Sequence, residues 1–541
     1  MIHPLLDAGE MPHLQSLIER GVMGMMKSLT PQHCPLLWAS ALTGHTADRH
    51  GVLSHAGGLC HVKTVPDIVR ETDGRKDAVF TAGWPSDITA EQVRPDDLTG
   101  EDLLPFVPEL HRVNQKKDRR LVTLAMALAE TINTHLTSTM ALEQNGDGFF
   151  AFRYGLLENL GAEFMQFHPP QLGDVADDDF RIWSGVIAGA YRFLDMALGR
   201  LVQLAGPDAH LMLVSDHGFE SGALRPSRIV DLLWRRGYGI FCMAGPDIRG
   251  DEIVYGVSLL DVAPTLLTLL GLPVGLDMKG RVPADAFVAP PLIGTIPTHE
   301  AEYADALAAR LQLVDLGYLE ADTNSPRPIH ELFSLVQVHL TAGRAAEALP
   351  MARELVGRHP KDPVARTWLA VCCLESGLIP ECREIASELL AEQPGMPNAS
   401  AILAGVYLHE KNPQEALRCL VDAERRDRPL PLLDFAIARS HLAVGRWRDA
   451  ETWFRIVLDR EPDHAPARIG LAEALVQLRR FDEASEAALD AIVTEFDQPQ
   501  AHYWLGMALA QAGDDKGARQ AFTNSRRLLA RAHHDSATPP L

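Results

Sequence analysis

Clustered lysine and arginine are what this sequence most lacks. Lys and Arg number 50 against 72 Asp and Glu, a formal net charge of −22. A phosphate backbone or an anionic lipid surface rewards dense cationic patches. The deficit argues against nucleic acid and membrane as partners, and neither is expected. Cysteine is also scarce, with seven residues at 34, 60, 242, 372, 373, 382 and 419. The number is odd and no CxxC pair occurs, which excludes the usual zinc-finger and disulfide frameworks. No run of about 18 apolar residues is present, so no membrane-spanning helix is expected. The opening MIHPLLDAGEMPHLQSLIERG is amphipathic with early acids. It lacks the basic start and apolar core of a secretory signal. A cytoplasmic location is the expectation.

What is present has two textures. A length of 541 residues fits about three to four domains, or one large domain plus a repeat array. The first 320 residues alternate short apolar runs with helical segments and Gly/Pro turns. HLMLVSD (210–216) and GIFCMAG (239–245) are apolar and turn-bounded, as buried strands are. SGVIAGAYRFLDMALGRLVQLAG (184–206) has helical spacing and ends in Gly. Alternating strands and helices predict an α/β sheet with ligand chemistry at the strand ends.

From residue 329 the chain repeats. Ala348, Cys382, Ala416, Ala450, Ala484 and Ala518 are spaced by 34 residues. A second column reads Val336, Ala370, Ala404, Ala438, Ala472 and Gly506. An acid precedes the small residue in five units, at Glu347, Glu381, Glu415, Asp449 and Glu483. Gly343, Gly377, Gly445 and Gly513 sit five residues before it, and Pro360, Pro394 and Pro462 close three units. Small residues let paired helices approach, Gly takes the turn and Pro opens the next unit. The pattern resembles six tetratricopeptide repeats (TPR) over 329–530. The resemblance implies an all-α superhelix whose groove binds a protein or peptide. Residues 531–541 are expected to form a disordered tail. The stretch 283–328 has the texture of a connector, with 321–328 as the linker proper.

The stretch LMLVSDHGFESGALRP (211–226) raises the question of chemistry, because a buried strand delivers Asp216 and His217 side by side. They read as metal ligands at a strand end. The alternative is that Asp216 caps a turn and His217 is a satisfied, partly buried histidine.

Further stretches decide the context: PLLWASALTGHTADRHGVL (35–53), TAGWP (81–85), YRFLDMALGRL (191–201) and VSLLDVAPTLLTLLGLPVGLDMKGRVP (257–283). With VSDHGF (214–219) they resemble the type I phosphodiesterase/nucleotide pyrophosphatase branch of the alkaline phosphatase superfamily, over residues 3–320. The resemblance implies a largely parallel sheet sandwiched by helices, as an alkaline-phosphatase-like domain spanning 1–320. It also implies two metal ions, commonly zinc, a phosphate-ester ligand, and a Thr or Ser that attacks phosphorus. Two cations would neutralise the phosphoryl oxygens and activate the nucleophile.

The matching positions depart from that pattern. Cys34 stands at the nucleophile position. It could attack phosphorus, bind zinc, or simply fill the space as a small buried residue. The family's first metal-binding Asp and its strand would precede the matching helix, and Met1 falls inside that junction: either the start is an internal Met, or the two are lost. The carboxylate of the second metal is Glu158, a weak match because of its extra methylene, and its His partner is Ala162. His168 lies in an HPP turn that the family also has. The last family His is Arg235, which cannot ligate zinc. Arg235 either pairs with an anion in the lost cation's place or forms a surface salt bridge. At most one zinc site is expected, from Asp216 and His217 with Cys34 or Glu158. The chain is therefore expected to carry a degenerate phosphodiesterase domain with lost or impaired phosphoester hydrolysis, joined to a TPR interaction array. The alternative is an active metal-dependent phosphodiesterase or phosphatase working through a covalent intermediate. Whether the chain is an enzyme stays open at this point.

Overall fold

The computed structural model describes residues 2–53, 60, 62–72, 79–82, 93–113, 118–145, 148–219, 235–299, 328–424, 431–462, 464–496 and 498–537. Most of the expected connector, the linker up to residue 327, the end of the TAGWP motif and residues 220–226 of LMLVSDHGFESGALRP lie outside these residues. Two compact units emerge. The first comprises Met1–Ser28, Leu37–His45 and Cys60–Ala301; the second comprises Leu29–Leu36, Thr46–Leu59 and Glu302–Leu541.

Strands of the first unit used below are β1 (Gly21–Lys27), β2 (Val79–Ala82), β3 (Phe149–Phe152), β4 (Leu211–Val214), β5 (Gly218–Phe219), β6 (Arg235–Arg236), β7 (Tyr238–Ala244), β8 (Glu252–Ile253) and β9 (Val257–Ser258). Its helices used below are α1 (Pro12–Glu19), α2 (Cys34–Thr43), α3 (Arg119–Gln144), α4 (Leu156–Phe164), α5 (Val186–Ala205) and α6 (Val262–Leu269). The main sheet has the order β4-β7-β1-β8, with β9 also pairing β1. Gly21 lies opposite Ala244, and Leu211 lies opposite the same residue on the other side of β7.

One strand of this sheet, β7, departs from the expectation of a largely parallel one. β7 runs antiparallel to both β1 and β4, while β8 and β9 are parallel to β1. The strands themselves fall where their apolar runs put them. A strand buried on both faces reads as continuous apolar sequence whichever way its neighbours run, so its direction is not encoded in the pattern. β2 and β3 form a separate parallel pair.

α1 and α5 supply the apolar cover of β4 and β7. Leu17, Cys242 and Ala244 are buried together, with Leu198, Val202, Leu211 and Leu213 packed around them. Burial pushes the Cys242 thiol up to about 12, so it behaves as an apolar side chain. The two helices approach closely at Gly199, where a Cβ would stand 2.6 Å from the His13 ring. One turn earlier on α5, the buried Asp195 accepts from the backbone N–H of His13 (3.1 Å) and Leu14 (2.7 Å). Met11, the N-cap of α1, offers no side-chain cap, so a distant carboxylate does that work. A larger core joins α3, α4 and α5 around Trp183, Phe164, Leu156 and Leu160. Each such burial stabilises by about 1.5–3 kcal/mol.

The second unit holds twelve helices among its described residues 328–537. They are α7 (Ile329–Thr341), α8 (Ala345–Arg358), α9 (Pro363–Glu375), α10 (Ile379–Glu392), α11 (Pro397–His409), α12 (Pro413–Glu424), α13 (Pro431–Ala443), α14 (Trp447–Arg460), α15 (Ala465–Gln477), α16 (Phe481–Thr494), α17 (Pro499–Ala512) and α18 (Asp515–Ala537). They form six pairs on the 34-residue period. Ala348, Cys382, Ala416, Ala450 and Ala484 are 0% exposed and Ala518 4%, as helices at close approach require. α18 runs to Ala537, so the expected tail from 531 is helical as far as it is described.

The turns go further than the glycine column suggested. Gly343, Gly377, Gly445 and Gly513 have positive φ, and so do Lys411 (59°) and Arg479 (62°) at the two positions without Gly. Each helix end closes with the same backbone bond, for example Arg344 N–H to the His339 carbonyl (2.8 Å) and Asn412 N–H to that of Tyr407 (2.8 Å). No helix among the described residues is long and apolar enough to cross a membrane.

Candidate functional site

β4 ends at Val214 and the chain turns sharply. Ser215 N–H donates to the Ile240 carbonyl (2.9 Å), and the Ser215 hydroxyl donates to the His217 carbonyl (2.8 Å). This turn presents Asp216 and His217, 8% and 5% exposed. Nδ1 of His217 lies 2.9 Å from the Gly218 carbonyl. A carbonyl only accepts, so Nδ1 donates to it. Nε2 is 3.9 Å from Oδ1 of Asp216.

Phe219 on β5 fixes the ring. The two rings meet edge-to-face with centroids 5.3 Å apart. Phe219 in turn lies on α4 at Gly161, where a Cβ would come within 2.6 Å of it. The glycine therefore makes room for the aromatic that packs against His217.

Glu158 lies on α4, one turn before Ala162, which is exposed and offers no ligand atom. Both carboxylate oxygens of Glu158 are taken by guanidinium groups. Arg153 donates to Oε2 at 3.1 Å and Arg235 donates to Oε1 at 2.9 Å. The three side chains are only 18–28% exposed. Arg235 thus forms a salt bridge, partly buried rather than on the open surface, and its partner is Glu158. Arg153 had no place in the sequence reading, although a charge closing the apolar FFAF strand was a usable signal.

α2 is one continuous helix. Its body from Leu37 onward belongs to the first unit, and Cys34, 4% exposed, opens it. Among the described residues, Cys34, Glu158 and His217 form a group whose ligand atoms all lie within 4.8 Å of one another. Asp216 and His168 are not in that group. A thiol, a carboxylate and a neutral imidazole suit a single zinc ion by chemistry. The two guanidinium groups on Glu158 oppose it. A divalent ion about 5 Å from one of them meets roughly 7 kcal/mol of repulsion at an effective dielectric near 20.

Comparison with known proteins places the helical part of the chain. Residues 339–404, 435–498 and 485–530 match tetratricopeptide-repeat families. The C-terminal part of the chain is therefore an array of tetratricopeptide repeats. No curated protein matches the chain. Similar solved structures include a thermophilic TPR protein of Thermus thermophilus, at 23% identity over 37% of this chain and 98% of that one, with a TM-score of 0.30. A tetratricopeptide repeat protein from Parabacteroides merdae is 16% identical over 42% of this chain and 93% of that one, with a TM-score of 0.32. YrrB, described as a TPR protein with an unusual peptide-binding site, is 13% identical over 33% and 91%, with a TM-score of 0.27.

Proposed function

We propose that the chain is an interaction scaffold, in which the repeats bind a protein or peptide and the first unit is an alkaline-phosphatase-like domain that has lost phosphoester hydrolysis. The observation that carries the second half is the Arg153–Glu158–Arg235 arrangement. Where the family resemblance calls for a carboxylate and a His around a second metal, this chain has a carboxylate held by two cations and an alanine. A two-metal mechanism needs both ions to neutralise the phosphoryl group, and this donor set does not fit the second ion. Glu158 is then a structural anion that holds two arginines and α4 in place.

The test for the repeats is crosslinking of the full chain to a captured protein, with the linked residues read by mass spectrometry. Links concentrated in 329–537 support the reading, and links confined to the first unit overturn it.

One observation favours a second reading, a single-metal hydrolase. Cys34, Glu158 and His217 converge closely enough to share one ion. Metal analysis after zinc saturation separates the two. Stoichiometric zinc that both Cys34→Ala and His217→Ala lose favours the second reading, and wild-type zinc no higher than in those variants favours the first.

A further inference from the structure

Some charged side chains of the repeat array close no ion pair among the described residues, and one of them, Glu473, is half-buried. Arg353 pairs with Glu381, Arg366 with Glu388 and Glu392, and Arg455 and Arg480 with Glu483. Arg439 on α13 and Glu473 on α15 close no hydrogen bond or ion pair among the described residues, although the Arg439 charge is felt at Glu473. They occupy the same register position, 34 residues apart, on helices that pack side by side. Both therefore project from one face. Glu473 is half-buried; burial raises its carboxyl above the usual range, and Arg439 offsets this only in part.

The surroundings are apolar. Ile469, one turn before Glu473, is buried, and Tyr503, one register on from Ile469, is 44% exposed. The Arg439 guanidinium lies 5.9 Å from the centroid of the Phe435 ring, one turn before it, and so has a seat of its own. Glu473 has none. A half-buried carboxylate without a donor is costly, and a cation or N–H donor that reaches it recovers that cost.

We propose that this face receives an extended segment of a partner protein bearing a lysine or arginine on Glu473, with an apolar neighbour against the exposed Tyr503. The inference rests on reading the array as protein-binding and names the chemistry of what it binds. Arg439 sets a limit. A run of consecutive cations would meet its guanidinium, so an isolated basic residue is selected over a polybasic stretch.

The experiment uses the full chain on an array of immobilised nonapeptides with a leucine/serine background. The central residue is Lys, Arg, Gln or Glu, and one further set carries three consecutive lysines. Wild type is expected to hold the single-Lys and single-Arg peptides at least tenfold more tightly than the Gln, Glu or tri-lysine peptides. Glu473→Gln is expected to abolish that preference while binding the Gln peptide as wild type does, and Tyr503→Ala to weaken every peptide. Wild type without a preference for the isolated cation, or Glu473→Gln retaining it, overturns the inference. Binding without charge preference leaves the protein-binding reading standing; crosslinks that avoid 329–537 remove that reading first.

Discussion

Nη2 of Arg235 lies 2.9 Å from Oε1 of Glu158, across 77 residues of chain. The other carboxylate oxygen is held by Arg153. Removing the anion leaves two partly buried cations facing each other, whereas removing one cation leaves a normal pair. Glu158→Gln is therefore expected to destabilise the first unit by about 1–3 kcal/mol, and Arg235→Gln by less. Urea unfolding of the two variants checks the order. Equal effects, or a larger one for Arg235→Gln, contradict it.

Lys411 and Arg479 hold left-handed backbone that glycine adopts in the other four turns. A side chain there costs about 1 kcal/mol relative to glycine. Lys411→Gly and Arg479→Gly are each expected to stabilise the array by about 0.5–1 kcal/mol, and Gly377→Ala to destabilise it by about 1 kcal/mol. Space is not the issue at Gly377, where a Cβ meets nothing within 4 Å. Thermal midpoints of the three variants decide it.

Asp195 is the only side chain that caps the start of α1 among the described residues. Asp195→Ala is expected to cost about 2 kcal/mol, because two backbone N–H groups lose their acceptor. Hydrogen exchange localises the effect. Protection should fall at His13 and Leu14 before it falls in the helix pairs of the second unit.

Asp277 gives the fold a pH dependence of known sign. Burial alone would raise its carboxyl above 3.8; the Thr298 hydroxyl and the buried His45 outweigh that and hold it lower. A depressed carboxyl stabilises the fold above its unfolded value and loses that contribution as pH falls through the folded one. Stability is thus expected to fall off in acid below 3.8, and Asp277→Asn to flatten that limb. An unchanged acid limb in the variant contradicts the assignment.

The repeats were legible because one physical demand recurs six times. Close helix contact needs a small residue every 34 positions, and the column from Ala348 to Ala518 shows it directly. The turns at Lys411 and Arg479 were not legible, because glycine was the signal sought and the backbone conformation was the property conserved along the array. Sheet direction escaped for a different reason, since the apolar run of β7 is the same in either sense. The site was legible in part. Cys34, Glu158 and His217 do converge. The fate of Glu158 was hidden because its partners, Arg153 and Arg235, meet only in the fold. Asp195 was hidden for the same reason: a helix cap supplied from 182 residues away leaves no local trace.

The proposed loss of phosphoester hydrolysis is tested most directly by turnover of an aryl phosphodiester by the zinc-saturated full chain, run beside Cys34→Ala and His217→Ala. With Glu158 held by two arginines and no donor set that fits a second ion, wild type is expected to be no faster than either variant. Turnover by wild type that both substitutions abolish would contradict the account and establish a working catalytic centre at Cys34.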